Sequence, residues 1–303
     1  MVVMVLRLAV TLLGVAYYVA IERKLIGMVQ RRHGPNKRGV LGMVLPLADG
    51  IKLLTKELVL PRSAERSLFL SGPILLFILA YRAWLIYPVR TGFYGFKYGV
   101  LYYMCLVGVN VFGLIICGWS SGSRYGLLGG MRAVAQTVSY EVVFNTALFC
   151  PLLFFSELEL TKIQEEVFFL FFLLPEVALV WAVSSLAELN RVPFDFVEGE
   201  SELVSGYMVE HGGVGFVLLV LGEYARLIFR RVVTVCLFAK NWQGFVGDFL
   251  FVCLAVRVRL SLALIRARFP RYRYDKLIGF CWGSLLPLVR GIFLVCVSLV
   301  RKG

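Results

Sequence analysis

Eight apolar runs, each about 20 residues long, dominate the chain and fix what it can become. They lie at approximately 2–21, 68–88, 98–120, 134–156, 166–189, 213–236, 246–265 and 277–300. A hydrocarbon core of ~30 Å needs a helix of about this length, and in lipid only helices and closed barrels satisfy their own backbone groups. Composition agrees: 59% of the 303 residues are hydrophobic and only 17% charged, above the roughly 45–50% apolar content of soluble domains. The expected fold is therefore all-α, a single polytopic membrane domain over residues 1–303 with about eight transmembrane helices. The first run, "MVVMVLRLAVTLLGVAYYVAI", has no basic start and no small-residue cleavage site, so it is read as a retained helix. The seventh run is the least apolar, because it holds Arg257 and Arg259.

The loops between the runs differ in charge. Those at 22–67, 121–133, 190–212 and 266–276 hold 18 Lys and Arg, against six in the remaining loops and the C-terminus. The positive-inside rule puts the first set on the matrix or cytoplasmic side and both termini opposite. This arrangement also accounts for the net charge of +13 by topology and contact with membrane lipid, not by nucleic acid. Within the first loop, "LADGIKLLTKEL" places Leu47, Ile51, Leu54 and Leu58 on one helical face and Asp49, Lys52 and Lys56 on another, the pattern of an amphipathic helix lying in the interface. The turn "RRHGPNKRG" precedes it. The seven cysteines sit in apolar runs without metal-ligand spacing, and the two histidines match no haem or zinc pattern, so no metal, no covalently bound cofactor and no redox centre is expected in this chain.

Against this background the acids stand out. Glu141, Glu176 and Glu223 lie inside apolar runs, and six carboxylates fall between Glu188 and Glu210. An ionised group at mid-bilayer costs on the order of 2.5–3.5 kcal/mol. Such groups face a bundle interior or a wet cavity, pair with a cation, or take up a proton. Glu141 and Glu223 read as parts of a proton pathway; the plainer alternative for Glu223 is an ion pair with Arg226 one turn on. Glu176 follows Pro175 and also suits a solvated helix break. In "FDFVEGESE" the acids alternate with apolar residues, so the segment wants partial burial, and crowded carboxylates there cannot all ionise. Calcium would be the rival occupant, but the EF-hand spacing is missing.

Four stretches carry a family resemblance: "ERKLIGMVQRRHGPNKRGVLGMVLPLADGIKLLTKE" from 22, "GLLGGMRAVAQTVSYEV" from 126, "LAELNRVPFDFVEGESELVSGYMVE" from 186 and "RARFPRYRYDKLIGFCWGSLLPL" from 266. Together, in this order, they resemble the subunit 1 family of respiratory complex I, the proton-pumping NADH:ubiquinone oxidoreductase, including its bacterial membrane-subunit homologues. The resemblance implies a membrane subunit of the NADH:ubiquinone reductase that forms much of the ubiquinone tunnel and the acidic path coupling quinone reduction to proton translocation. It implies Arg23, Arg32, Asp49, Arg132 and Arg191 at the tunnel, and Arg271, Arg273 and Asp275 on the matrix face beside it. It implies Tyr140, Glu141, Glu188, Asp195, Glu198, Glu200, Glu202, Glu210 and Glu223 along the acidic path. Ubiquinone would be the substrate, with iron–sulfur clusters and FMN on partner subunits. The implied partners are the quinone-site peripheral-arm subunits and the antiporter-like membrane subunits, in the mitochondrial inner membrane or a bacterial plasma membrane. The sequence departs from the family at Leu58, Leu189, Met208, His211 and Arg226, and residues 227–260 carry nothing over. A quinone-independent subunit of a hydrogenase-type complex and a secondary ion transporter are the alternative readings, with a purely structural assembly subunit the plainest.

Overall fold

The computed structural model describes residues 2–37, 39–87, 96–155, 157–166, 173–195, 206–239 and 245–302, and among these there are helices and no strand. The helices are α1 (Val2–Val29), α2 (Leu45–Leu54), α3 (Arg66–Ala83), α4 (Gly99–Ser120), α5 (Arg124–Leu152), α6 (Leu160–Glu166), α7 (Pro175–Glu188), α8 (Gly213–Phe238), α9 (Phe245–Arg268), α10 (Tyr274–Phe280) and α11 (Leu286–Lys302). A π-helical turn, Cys281–Leu285, joins the last two. The protein is an all-α membrane protein. Arg66–Ile86, Gly99–Ser120 and Tyr274–Arg301 are long and apolar enough to cross a membrane on composition alone. Helices α5 and α8 have the length but carry polar groups along it: Arg132, Gln136 and Glu141 in one, Glu223, Arg226, Arg230 and Arg231 in the other.

Helix α5 is the axis of the bundle. Tyr140, Val143, Phe144, Ala147, Leu148 and Cys150 are fully buried on it, with Phe144 stacked on Trp181 of α7 at 4.3 Å between ring centroids. Its hydroxyls direct their donors to the helix itself, Ser139 Oγ to Ala135 O at 2.6 Å and Thr137 Oγ1 to Val134 O at 3.0 Å. These hydroxyls are thereby satisfied without water. Small residues set the spacing. A Cβ on Gly118 of α4 would stand 3.0 Å from the Cα of Gly130 on α5, so the two backbones pack directly, as membrane helices do through small residues.

Several helices extend beyond the apolar runs. Helix α1 continues through Glu22 and Arg23 to Val29, and α5 starts at Arg124, so most of the expected 121–133 loop is helix and Arg132 stands on a helix. Ser123 begins α5 by accepting a hydrogen bond from Gly126 N at 3.1 Å, an N-cap that stops at the loop side of the apolar run. The amphipathic helix is shorter than its periodicity: α2 ends at Leu54, where Thr55 Oγ1 turns back to Lys52 O at 3.1 Å, and Leu58 lies beyond it.

Tertiary contacts join the basic loops at one end of the bundle. Gly122 lies against Ser63, and Gly129 against Gly206. Tyr272 N donates to Pro193 O at 2.9 Å, and Arg266 pairs with Glu22 at 2.6 Å. Val100 N, in the first turn of α4, donates to Leu158 O at 3.2 Å, which ties that helix to the sparsely charged connection after α5.

Candidate functional site

Three groups of buried polar residues lie between α1, α5, α7 and α8. The first ties the segment after α7 to α5. Gln136, fully buried, donates through Nε2 to Ala187 O at 2.8 Å and Phe194 O at 2.7 Å. One turn on, Tyr140 donates its hydroxyl to Leu277 O at 2.9 Å. Phe194 packs between Tyr140 and Tyr272, at 6.2 and 5.7 Å between centroids. Residues 189–195 are therefore folded into the protein and carry Asp195 to a buried position facing Arg271 at 3.9 Å; the rest of the acidic stretch, 196–202, lies outside the described residues.

The second group centres on Glu223 of α8. Tyr207 donates its hydroxyl to Glu223 Oε1 at 2.5 Å, and Arg191 stands 3.9 Å from Oε2. The Arg191 guanidinium also lies over the Tyr224 ring, 4.3 Å from its centroid, a geometry that steadies a partly desolvated cation. Tyr224 meets Tyr18 of α1 edge-on at 5.8 Å. The ion-pair alternative for Glu223 named the wrong arginine: Arg226 Nε points to Gly222 O of its own helix at 3.4 Å, and the cation at Glu223 is Arg191.

The third group is a buried ion pair. Arg230 and Glu188 form a two-pronged bond, Nη1 to Oε2 at 2.7 Å and Nη2 to Oε1, with side chains 3% and 8% exposed. A forked guanidinium–carboxylate pair of this kind fixes orientation as well as charge. Arg231 beside it is equally buried and reaches Ser185 Oγ at 3.5 Å. Glu141 is half-buried on α5, with Glu188, Arg230 and Asn145 as its electrostatic neighbours.

Sequence reasoning missed Glu22, Arg230 and Arg231. They share one signal, a charge within or at the rim of an apolar run that demands a partner. Arg230 and Arg231 fell in the stretch where the resemblance gave out, and only the fold names Glu188 as a partner. Other expected residues stand apart. Arg23 and Asp49 form an exposed pair at 3.6 Å that holds α2 to α1, and Arg32 is exposed. Arg273 and Asp275 pair at 3.0 Å, both largely solvated, and Glu176 is exposed at the start of α7. Arg132 is half-buried on α5. Glu198, Glu200 and Glu202 lie outside the described residues. Glu210 lines an open cavity of about 450 Å³ with Leu53, Lys56, Val59, His211 and Phe216, between the end of α2 and the start of α8. Beside it His211 stacks on Phe69 at 4.2 Å. Burial lowers its pKa from 6.5 to about 4, against a smaller upward pull from the Cys117 backbone. Among the described residues no group of three or more His, Cys, Asp or Glu is placed to hold a metal.

Fold and site together define a class: a polytopic helical membrane subunit whose interior carries ion-paired acids from its charged end into the bundle. The NADH dehydrogenase family model matches residues 2–297. The chain is 38% identical to the NADH-ubiquinone oxidoreductase chain 1 of Mytilus edulis, over 95% of this chain and 94% of the relative. It is 43% identical to the protein of the same name from Cyanidium caldarium, over 91% and 84%. It is 41% identical to a bacterial relative, an NADH-quinone oxidoreductase subunit from Paramagnetospirillum magneticum, over 91% and 84%. The chain belongs to this family, that of subunit 1 of respiratory complex I.

Proposed function

We propose that this chain is the membrane subunit through which quinone reduction in NADH:quinone oxidoreductase is coupled to proton movement, with the other subunits of that complex as its partners. One observation carries the reading: buried charge runs without a wide gap from the basic end of the bundle inward. Glu22–Arg266, Tyr18 and Tyr224, Arg191–Glu223–Tyr207 and Arg230–Glu188 lie in sequence around α1, α7 and α8, with Glu141 beyond on α5. A purely structural subunit needs none of these, because apolar residues of equal volume in place of a buried pair are often neutral or stabilising.

On this reading ubiquinone is the substrate and approaches along α2. Its isoprenoid tail lies in lipid against Leu47, Ile51 and Leu54, and the cavity at the end of α2 forms part of the entrance. Arg23, Arg32, Asp49, Arg132 and Arg191 line or brace the way in, and Arg271, Arg273 and Asp275 form the face beside it. FMN and iron–sulfur clusters on the peripheral-arm subunits deliver the electrons. Reduction changes the field at Arg191 and Asp195. The change passes through Glu223 and Tyr207 to Glu188, Tyr140 and Glu141, with Glu198, Glu200, Glu202 and Glu210 as further members of the acidic path, and on to the antiporter-like subunits. The joined basic loops support a topology in which that end faces the mitochondrial matrix or bacterial cytoplasm. The relatives, from Mytilus edulis and Cyanidium caldarium as well as a bacterium, fit either the mitochondrial inner membrane or a bacterial plasma membrane.

Replacing Glu223 by Gln keeps the shape and an acceptor for Tyr207 but removes the carboxylate. In the assembled complex the expected result is quinone reduction with fewer protons moved per NADH. Full proton movement from Glu223→Gln and Glu141→Gln alike would overturn the reading.

A further inference from the structure

Arg230 has a role that no expectation assigned. All three nitrogens of its guanidinium donate, and the partners come from separate helices. Nε donates to Tyr103 Oη of α4 at 3.2 Å. Nη1 reaches Ser185 O at 3.3 Å besides Glu188 of α7, and Cζ lies 4.5 Å from the centroid of Phe144 on α5. Phe144 is one turn from Glu141 on the same helix. Thus Arg230 sits between two carboxylates, fully engaged with one and within electrostatic reach of the other. The ionisable groups facing this point are Tyr103 from α4, Glu141 from α5, Glu188 from α7, and Arg226 and Arg231 from α8.

We propose that Arg230 is a positioning residue that clamps Glu188 as a fixed anion, so that Glu141, not Glu188, is the member of this pair that exchanges protons. The chemistry follows from the geometry. A carboxylate gripped at both oxygens is held as the counter-ion of that guanidinium, and protonating it would leave a buried cation uncompensated. Glu141 has no such fork: its neighbours are Glu188 itself, the Asn145 side chain, with which it shares a hydrogen bond, and at longer reach the same cation. A change in its proton occupancy is felt by Arg230 and handed to Glu188 as a change in field, without a proton moving between them. This inference rests on the coupling function proposed above and assigns roles within it.

The test is infrared difference spectroscopy of the intact complex on reduction, following the carbonyl stretch of protonated carboxyl groups. The expected result is a band change that disappears in Glu141→Gln and persists in Glu188→Gln. In Arg230→Met, Glu188 loses its cation, and a second band is expected that the added Glu188→Gln change removes. Arg230→Gln, which also removes the charge, gives the same comparison should the methionine variant fail to assemble. A band that survives Glu141→Gln, or that vanishes in Glu188→Gln, overturns the assignment. So does an assembled Arg230 variant with an unaltered spectrum. These outcomes are separate from failure of the coupling reading, in which both Glu141→Gln and Glu223→Gln would retain full proton movement.

Discussion

At the scale of single residues, burial decides which charges do chemistry, and the sequence displays only half of that decision. Glu141 and Glu223 were legible because an acid inside an apolar run is expensive wherever it points. Their partners were not, because an ion pair between residues 42 apart, such as Glu188 and Arg230, is set by helix packing and leaves no local pattern. His211 shows the same rule outside the acids. Removal from water, where the ring stacks on Phe69, lowers its pKa to about 4 from the 6.5 of a solvated imidazole. The native state therefore keeps this ring neutral where an unfolded chain would protonate it. The sign follows: the contribution is complete above about pH 6.5 and is lost as pH falls from there toward 4, when the unfolded state binds the extra proton. A shift of this size is worth on the order of 3 kcal/mol. Hydrogen exchange at residues 206–213 of the assembled complex should accelerate between pH 6.5 and 4, and His211→Phe, which keeps the stack, should flatten that dependence. Equal pH sensitivity in the phenylalanine variant would place the proton elsewhere.

At the scale of elements, apolar length located the helices and polar detail moved their ends. The runs at 68–88 and 98–120 became helices within a few residues because nothing but hydrophobicity acts on them. The run at 134–156 became α5 from Arg124, because Ser123 can cap a helix there and Gly126, Gly129 and Gly130 allow close approach without breaking it. Those glycines explain how an element positions the site. A Cβ at Gly129 would stand 2.6 Å from the Cα of Gly206, so the backbone turn that presents Tyr207 rests directly on α5. Gly129→Val must push that turn away, and overpacking of this kind costs about 1–3 kcal/mol. The consequence belongs to Glu223: with Tyr207 displaced, the 2.5 Å bond to its carboxylate is lost. We expect Gly129→Val to lower both thermal stability and proton movement, and Tyr207→Phe to lower proton movement with little loss of stability. Matching losses in the two variants would mean that the turn matters for packing alone.

At the scale of the whole molecule, the charge asymmetry of the loops and the inward run of acids are two results of one arrangement. Lys and Arg concentrate in loops that the fold joins through Ser63 and Gly122, Gly129 and Gly206, Pro193 and Tyr272, and Glu22 and Arg266. Such an end attracts anionic headgroups and resists translocation. It also supplies the cations, Arg191, Arg266 and Arg271, that let Glu223, Glu22 and Asp195 leave water. If the helices cross the membrane as the charge bias requires, Lys37 and Arg273 share a side and Lys97 lies opposite. Single cysteines placed at these exposed positions should divide cleanly. In vesicles with the peripheral arm outward, a membrane-impermeant maleimide should label Lys37→Cys and Arg273→Cys but spare Lys97→Cys, with the pattern reversed in vesicles of opposite orientation. On the proposed function the peripheral-arm subunits cover part of this end, so labelling is read after that arm has been stripped. Reaction of Lys97→Cys from the same side as Arg273→Cys would break the topology. It would also remove the reason for acids to gather at the basic end, since the field that stabilises them there would no longer be the one the electrons change.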